Sequence, residues 1–230
     1  MDADEVRKLA RLEDRHWWYA ERRHLLGRML ARGGDRGRAL DIGAAGGGNT
    51  RVLRDAGLRA FALEYGEQGA QVARQRGLTV VRADACALPF GTDELDVVVA
   101  FDVLEHIPDD ARAVAEVRRV LRPGGRLLVM VPTSMALWSA HDEAVGHVRR
   151  YERDQLLSLL QSAGFRLERV RAWNVVLRPL VRWRRRSSSG SDLDRVPPLL
   201  NAALRGVVAL ERLLPVGRWR GVSLTVECSA

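Results

Sequence analysis

Short, continuous apolar runs alternate with longer amphipathic stretches through the middle of this chain, and that alternation limits its fold more than any other feature. The runs are RALDI at Arg38–Ile42, RAFALE at Arg59–Glu64, LTVVR at 78–82, LDVVVAF at Leu95–Phe101 and RLLVMVP at 126–132. Apolar runs of this length, bounded by turn residues, suit strands buried on both faces. The stretches 49–56, 67–76 and 109–121 carry helical spacing, and Gly57 and Gly77 can close the first two. Pro123-Gly124-Gly125 reads as a turn before the fifth strand. Strand–helix alternation of this kind implies an α/β fold, doubly wound, with a parallel sheet between helical layers.

The pattern continues with a helix at 152–163 capped by Gly164, a sixth strand at 165–173 and a seventh at 221–228. Residues 4–32 read as one helix broken by Gly33-Gly34. Between strands six and seven lies a stretch far longer than ordinary connections. It holds an arginine run from Arg178 to Arg186, a loop at Ser187–Ser191 and a helix from about Pro197 to Leu214. Three parts follow: an N-terminal helical lid at 1–34, a core made of 35–173 with 221–230, and a helical insertion at 174–220.

Composition narrows the function. The formal charge is +8, but 36 of the 37 cations are arginine, the exception being Lys8. This skew, with abundant alanine and glycine, reads as compositional bias over a solvated surface. One basic run, without a recognition helix or stacking platform, does not suggest nucleic acid. Cys86 and Cys228 stand far apart and match no metal spacing, so neither a disulfide framework nor a metal site is read, and a reducing cytoplasm is expected. No run of apolar residues is long enough for a spanning helix, and the first residues lack the apolar region of a secretory signal.

In an open parallel sheet, ligands bind outside the carboxyl ends of the strands. Five features fall there. Asp41-Ile42-Gly43-Ala44-Ala45-Gly46-Gly47-Gly48 lets the backbone turn sharply and approach a ligand, and the helix after it offers N–H groups to an anion. Glu64 ends strand two, where a carboxylate can accept both hydrogen bonds of a ribose diol; Tyr65 beside it could lie on an adenine face. Asp84-Ala85 ends strand three, FDVLEH at 101–106 ends strand four, and LRPGG at 121–125 precedes strand five.

The strings ALDIGAAGGG, ALE, RADACALPF, LDVVVAFDVLEHI and VLRPGGRLLVMVP together resemble the class I S-adenosylmethionine-dependent methyltransferases of small-molecule type. The resemblance implies a seven-stranded sheet of order 3-2-1-4-5-7-6 with strand seven antiparallel, and S-adenosyl-L-methionine as cofactor. It places Asp41, Gly43, Ala45 and Gly47 beside the methionine part, Glu64 and Tyr65 at the ribose and adenine, Asp84 and Ala85 at adenine, and Phe101-Asp102 at the sulfonium end. One departure is Ala45, where the family usually has glycine. A nicotinamide-dependent reductase would need a G-x-G-x-x-G fingerprint, which this chain lacks because Arg51 stands at the third glycine.

The acceptor side is read from HDEAVGHVRRYERDQL after strand five, which is loosely similar to an H-x-R-R-Y element of bacterial sugar and natural-product methyltransferases. His141 is the first candidate for a base, its basicity raised by Asp142 and Glu143; His147 is the second, otherwise a loop anchor with Tyr151. In HWWYAERR, Trp18 and Arg22 share a helix face, so the lid could cover the cofactor and Arg22 could meet its carboxylate. The insertion helix shows a broad apolar face, expected to pack on the core or on a second copy in a homodimer. The other option is a membrane surface touched through 178–214, which would suit a lipid-linked or quinone-like acceptor. The favoured acceptor is a small sugar or secondary metabolite, methylated at oxygen, nitrogen or carbon.

Overall fold

A computed structural model describes residues 12–185 and 196–230. The start of the expected N-terminal helix, Arg186 and the loop Ser187–Ser191 lie outside those residues. Seven strands form one sheet of order β3-β2-β1-β4-β5-β7-β6. They are β1 (Arg38–Ile42), β2 (Arg59–Glu64), β3 (Thr79–Arg82), β4 (Leu95–Phe101), β5 (Leu121–Pro132), β6 (Arg166–Trp173) and β7 (Ser223–Ser229). The first five pair in parallel, and β7 runs antiparallel to both β5 and β6. The expected fold is the one observed.

Alternation along the central strands divides the core into two layers. Leu40, Ile42, Val98, Ala100, Val129 and Val131 face one side. There they meet Ala113, Val114 and Val117 of α4 (Asp110–Val120) and Leu156 and Leu160 of α6 (Arg153–Ser162). Ala39, Val97, Val99, Phe101, Leu128 and Met130 face the other. They meet Leu26, Met29 and Leu30 of α1 (Trp17–Gly33) and Leu53 of α2 (Gly48–Asp55). A further helix, α3 (Glu67–Gln75), flanks β2 and β3.

Two local expectations are corrected, and the arginine run gains a structure. The N-terminal segment is not one helix through His16: that residue has extended backbone, and its Nδ1 accepts the Trp18 N–H at 3.2 Å, so α1 starts there with a side-chain cap. Pro123-Gly124-Gly125 does not stand before the fifth strand but inside it, because Leu121 pairs with Leu95 and the Gly124 N–H reaches the Ala230 carbonyl. The arginine run is helical over α7 (Arg178–Arg185), with no buried residue.

The insertion helix α8 (Pro198–Glu211) is only partly covered. Val208 is buried against Trp17 and Leu177, with Leu204 and Val207 beside it. Leu199, Leu210 and Leu213 are exposed, so the apolar residues do not all pack on the core as expected. Among the described residues, no helix is long and apolar enough to cross a membrane.

Candidate active site

At the carboxyl ends of β1 and β4 lies a cavity of about 350 Å³. The glycine-rich turn supplies one part of its wall through Gly43, Ala44, Ala45 and Gly46. Gly43 and Gly47 have φ of 67° and 78°, the left-handed region that glycine enters without a Cβ penalty. Ala45 is forced into the same region at φ 46°, which accounts for the family's usual glycine there. Ala45, Asp102 and Asn174 are three of five described non-glycine residues with positive φ, and all three line the cavity. Strained backbone of this kind concentrates at working sites.

Asp41 is fully buried behind the turn and accepts the Thr50 hydroxyl at 2.7 Å. Burial pushes its carboxyl up to about 7, against the pull of that hydrogen bond. Gly47 caps α2 and, like Asp41, does not reach the cavity wall. The helix N-terminus is not wholly open to an anion: the Glu13 carboxylate accepts the Gly48 N–H at 2.8 Å. Glu64, at the end of β2, accepts the Ala45 N–H and thereby ties the turn to the next strand. Burial raises its carboxyl while that N–H lowers it. Tyr65 is exposed, and Asp84 accepts the Cys86 N–H at 2.8 Å while Ala85 is buried in the core. Glu64, Tyr65, Asp84 and Ala85 thus continue the strand-end row beside the cavity rather than lining it.

The helix α1 contributes Trp18 and Arg22 to the cavity. Trp18 stacks at 4.4 Å from Trp173. Arg22 is buried; it donates to the Phe101 carbonyl at 2.8 Å and pairs with Asp102 at 3.2 Å. Its Nε and the Asp102 Oδ1 have no hydrogen-bond partner. Arg22 Nε can donate to a carboxylate and Asp102 Oδ1 can accept from an ammonium, which fits the amino-acid end of S-adenosylmethionine. The turn's own N–H groups are largely taken, those of Gly43 and Ala44 by the Leu63 carbonyl and that of Ala45 by Glu64.

The opposite wall carries His106, His141 and His147 with insertion residues Leu177, Leu180 and Leu204. His141 and Asp142 lie on a short helix, α5 (Ala140–Val145), not on an open loop. Asp142 is engaged by the side chains of His147, Arg150 and Arg185. Its Oδ1 accepts from Arg150 at 2.8 and 2.7 Å and lies 2.8 Å from His147 Nδ1. Arg185 of α7 pairs with its other oxygen at 3.2 Å. The neighbouring Arg149 pairs with Asp110. Tyr151 is a buried anchor, its hydroxyl donating to Asp110 at 2.5 Å. That bond and burial together push the Tyr151 phenol above its ordinary range.

Sequence reading quoted Glu105 and Arg150 within its strings without giving them a role, and missed Asn174 and Ser223 of the cavity. Glu105 is fully buried with neither carboxylate oxygen hydrogen-bonded. Burial, and then the negative charge of Asp102, hold its carboxyl well above the usual range. Asn174 is buried with both amide atoms unpartnered, Ser223 has an unpartnered hydroxyl, and Arg150 is buried on Asp142. The one available signal was Asn174, an asparagine directly after a strand, where left-handed backbone favours that residue.

Residues 40–129 match the family model described as a methyltransferase domain. A protein of Mycolicibacterium smegmatis named "Probable S-adenosylmethionine-dependent methyltransferase" is 30% identical over 70% of this chain, which spans 64% of that relative's length. A demethylmenaquinone methyltransferase of Mycobacterium bovis is 29% identical over 70% of this chain and 68% of its own. In fold, the chain is similar to phosphoethanolamine N-methyltransferase 2 of Haemonchus contortus in complex with S-adenosyl-L-methionine. That likeness has a TM-score of 0.61 and 20% identity, covering 90% of this chain and 52% of the other. Sheet order, turn, strand-end acids and these likenesses agree: the chain carries a class I S-adenosylmethionine-dependent methyltransferase domain.

Proposed function

We propose that the chain moves the methyl group of S-adenosylmethionine to a small-molecule acceptor seated in the cavity between the glycine-rich turn and the histidine wall. The observation that carries this reading is that one cavity joins Gly43, Ala45, Phe101 and Asp102 to His141 and His147. Asp41, Gly43, Ala45 and Gly47 would shape the methionine end, Glu64 would take the ribose, and Tyr65, Asp84 and Ala85 would border the adenine. Trp18 and Arg22 would close the site from above. The bound cofactor supplies an already activated methyl on a sulfonium. The protein's task is alignment of the acceptor and removal of its proton.

His147 is gripped by Asp142 at one nitrogen and faces Glu105 at 3.8 Å with the other. His141 lines the same wall, and the sequence reading of a base at that position is kept: it is assigned the acceptor's proton. The acceptor atom attacks the methyl carbon, the carbon–sulfur bond breaks, and its electron pair stays on sulfur. Calorimetry should show binding of the demethylated cofactor and none of NADH. In a screen with methyl-labelled cofactor, His141→Ala should lower turnover by about 10²–10⁴ with cofactor affinity unchanged. NADH binding alone would overturn the reading, and an active His141→Ala would remove the base.

A second reading keeps the chemistry but changes the acceptor to a lipid-linked or quinone-like molecule. It is favoured by the apolar cavity wall from Leu177, Leu180, Val181, Leu200 and Leu204, and by the likeness to a demethylmenaquinone methyltransferase.

A further inference from the structure

We propose that Glu105, His106 and His147 hold a divalent transition-metal ion on the wall of the cavity. One donor atom from each residue lies within 4.8 Å of the other two. Two chain segments bring them together. The short turn Leu104–His106 follows β4, and His147 follows α5 forty residues later. The two imidazole rings stand 4.7 Å apart, edge to face.

The outer partners are in place as well. His147 Nδ1 lies 2.8 Å from the Asp142 carboxylate, and His106 Nδ1 lies 3.2 Å from the Gly146 carbonyl. The proton of each ring sits on Nδ1, in hydrogen-bond reach of its oxygen acceptor, which leaves Nε2 with its lone pair. The His147 Nε2 is 3.8 Å from Glu105 Oε1, beyond a hydrogen bond. Metal-binding histidines are held in this way, by a carboxylate or carbonyl on the far nitrogen. Asp142 is itself fixed by Arg150 and Arg185, so the His147 ring is oriented through a buried chain of contacts.

Glu105 supplies the observation that points to a ligand. Its carboxylate is completely buried, and neither oxygen has a hydrogen-bond partner. A carboxylate buried without donors is costly unless it is protonated or meets a cation. Arg22 lies nearby but donates to Phe101 and Asp102 instead. A cation between Glu105 and the two imidazoles would satisfy all three groups at once. Two imidazoles and one carboxylate suit zinc, iron, cobalt or manganese, and three protein ligands leave coordination positions for another molecule.

Those positions open into the cavity, since all three residues line it. A hydroxyl oxygen of the acceptor would bind there and become more acidic, as metal-bound water does. His141, its ring 6.3 Å from that of His147, would take the proton. This last step rests on the methyl-transfer reading; the metal site itself does not.

The test uses the untagged full chain, stripped with EDTA and titrated with Co²⁺ while visible d–d absorption is followed. Binding of the demethylated cofactor is measured on the same preparation. The expected result is one Co²⁺ per chain, displaced by Zn²⁺. Glu105→Gln and His106→Gln should each weaken Co²⁺ at least tenfold, and Asp142→Asn about 10–100-fold. Circular dichroism identifies any variant that fails to fold, in which case the remaining variants and the wild-type titration decide. No saturable Co²⁺ binding, or equal binding by the folded variants, would overturn the proposal. Cofactor binding without a Co²⁺ site would sink the metal and leave methyl transfer standing. A Co²⁺ site without cofactor binding would do the reverse.

Discussion

Asp41 shows how much one buried side chain can set the pH response. Its folded value of about 7 lies above the ordinary 3.8. The native state therefore holds a proton that the unfolded chain releases between those values. Its contribution to stability is complete below about 4, falls as pH rises toward 7, and is lost above. Each pH unit of separation is about 1.4 kcal/mol. Urea titrations of the cofactor-free protein at pH 5 and pH 8 should show the wild type losing stability relative to Asp41→Asn. Parallel curves would mean that Asp41 is charged in the native state. Ala45 makes the opposite case, a strain without a charge. Ala45→Gly should raise stability by about 1 kcal/mol, because the left-handed backbone no longer opposes a Cβ. Destabilisation on this change would show the turn to be relaxed with alanine.

Elements were legible wherever one period dominated. β1, β2 and β4 have the bounds the apolar runs predict, because each run is continuous and ends at a glycine, acid or aromatic turn. α7 was not legible as a helix, since arginine at four of its eight positions obscures the spacing and no packed face restores it. The histidine wall was half legible. HDEAVGHVRRY marked the right segment, but only three-dimensional packing sets Asp142 against His147 and brings Glu105 to the same place. Arg126 of β5 shows the same limit: it pairs with Asp35 and, at 2.9 Å, with Glu227 of β7, and donates to the Met29 carbonyl of α1 at 3.1 Å. Arg126→Met would take from the largely buried Asp35 the cation it pairs with, while Glu227 keeps Arg32 and Arg169. The expected loss is about 3–5 kcal/mol by urea unfolding, the scale for breaking a buried pair from one side. A loss under about 1 kcal/mol would show that water already screens the pair.

For the whole molecule, the open question is what meets the outer surface of the insertion. Leu199 is 87% exposed, Leu213 81% and Trp183 70%, beside the cationic α7. A soluble acceptor and a membrane-borne one predict different behaviour with anionic vesicles. Under the favoured reading the protein stays unbound at low and high salt. Flotation at low salt, released by high salt and lost in Arg182→Gln with Trp183→Ser, would transfer the preference to the lipid-linked acceptor.

The position of β7 has a consequence for how the molecule comes into being. It follows every other strand in sequence, yet it lies between β5 and β6. During synthesis β6 emerges with no neighbour to pair with, and β5 presents the edge from Arg126 to Pro132 unpaired until β7 arrives. Val222 and Ser223, at the start of β7, also complete the cavity wall. A nascent chain can thus assemble the turn and the first five strands long before the cavity wall is complete. Its edge needs shielding over that interval, since an unpaired apolar strand is a template for pairing with other chains.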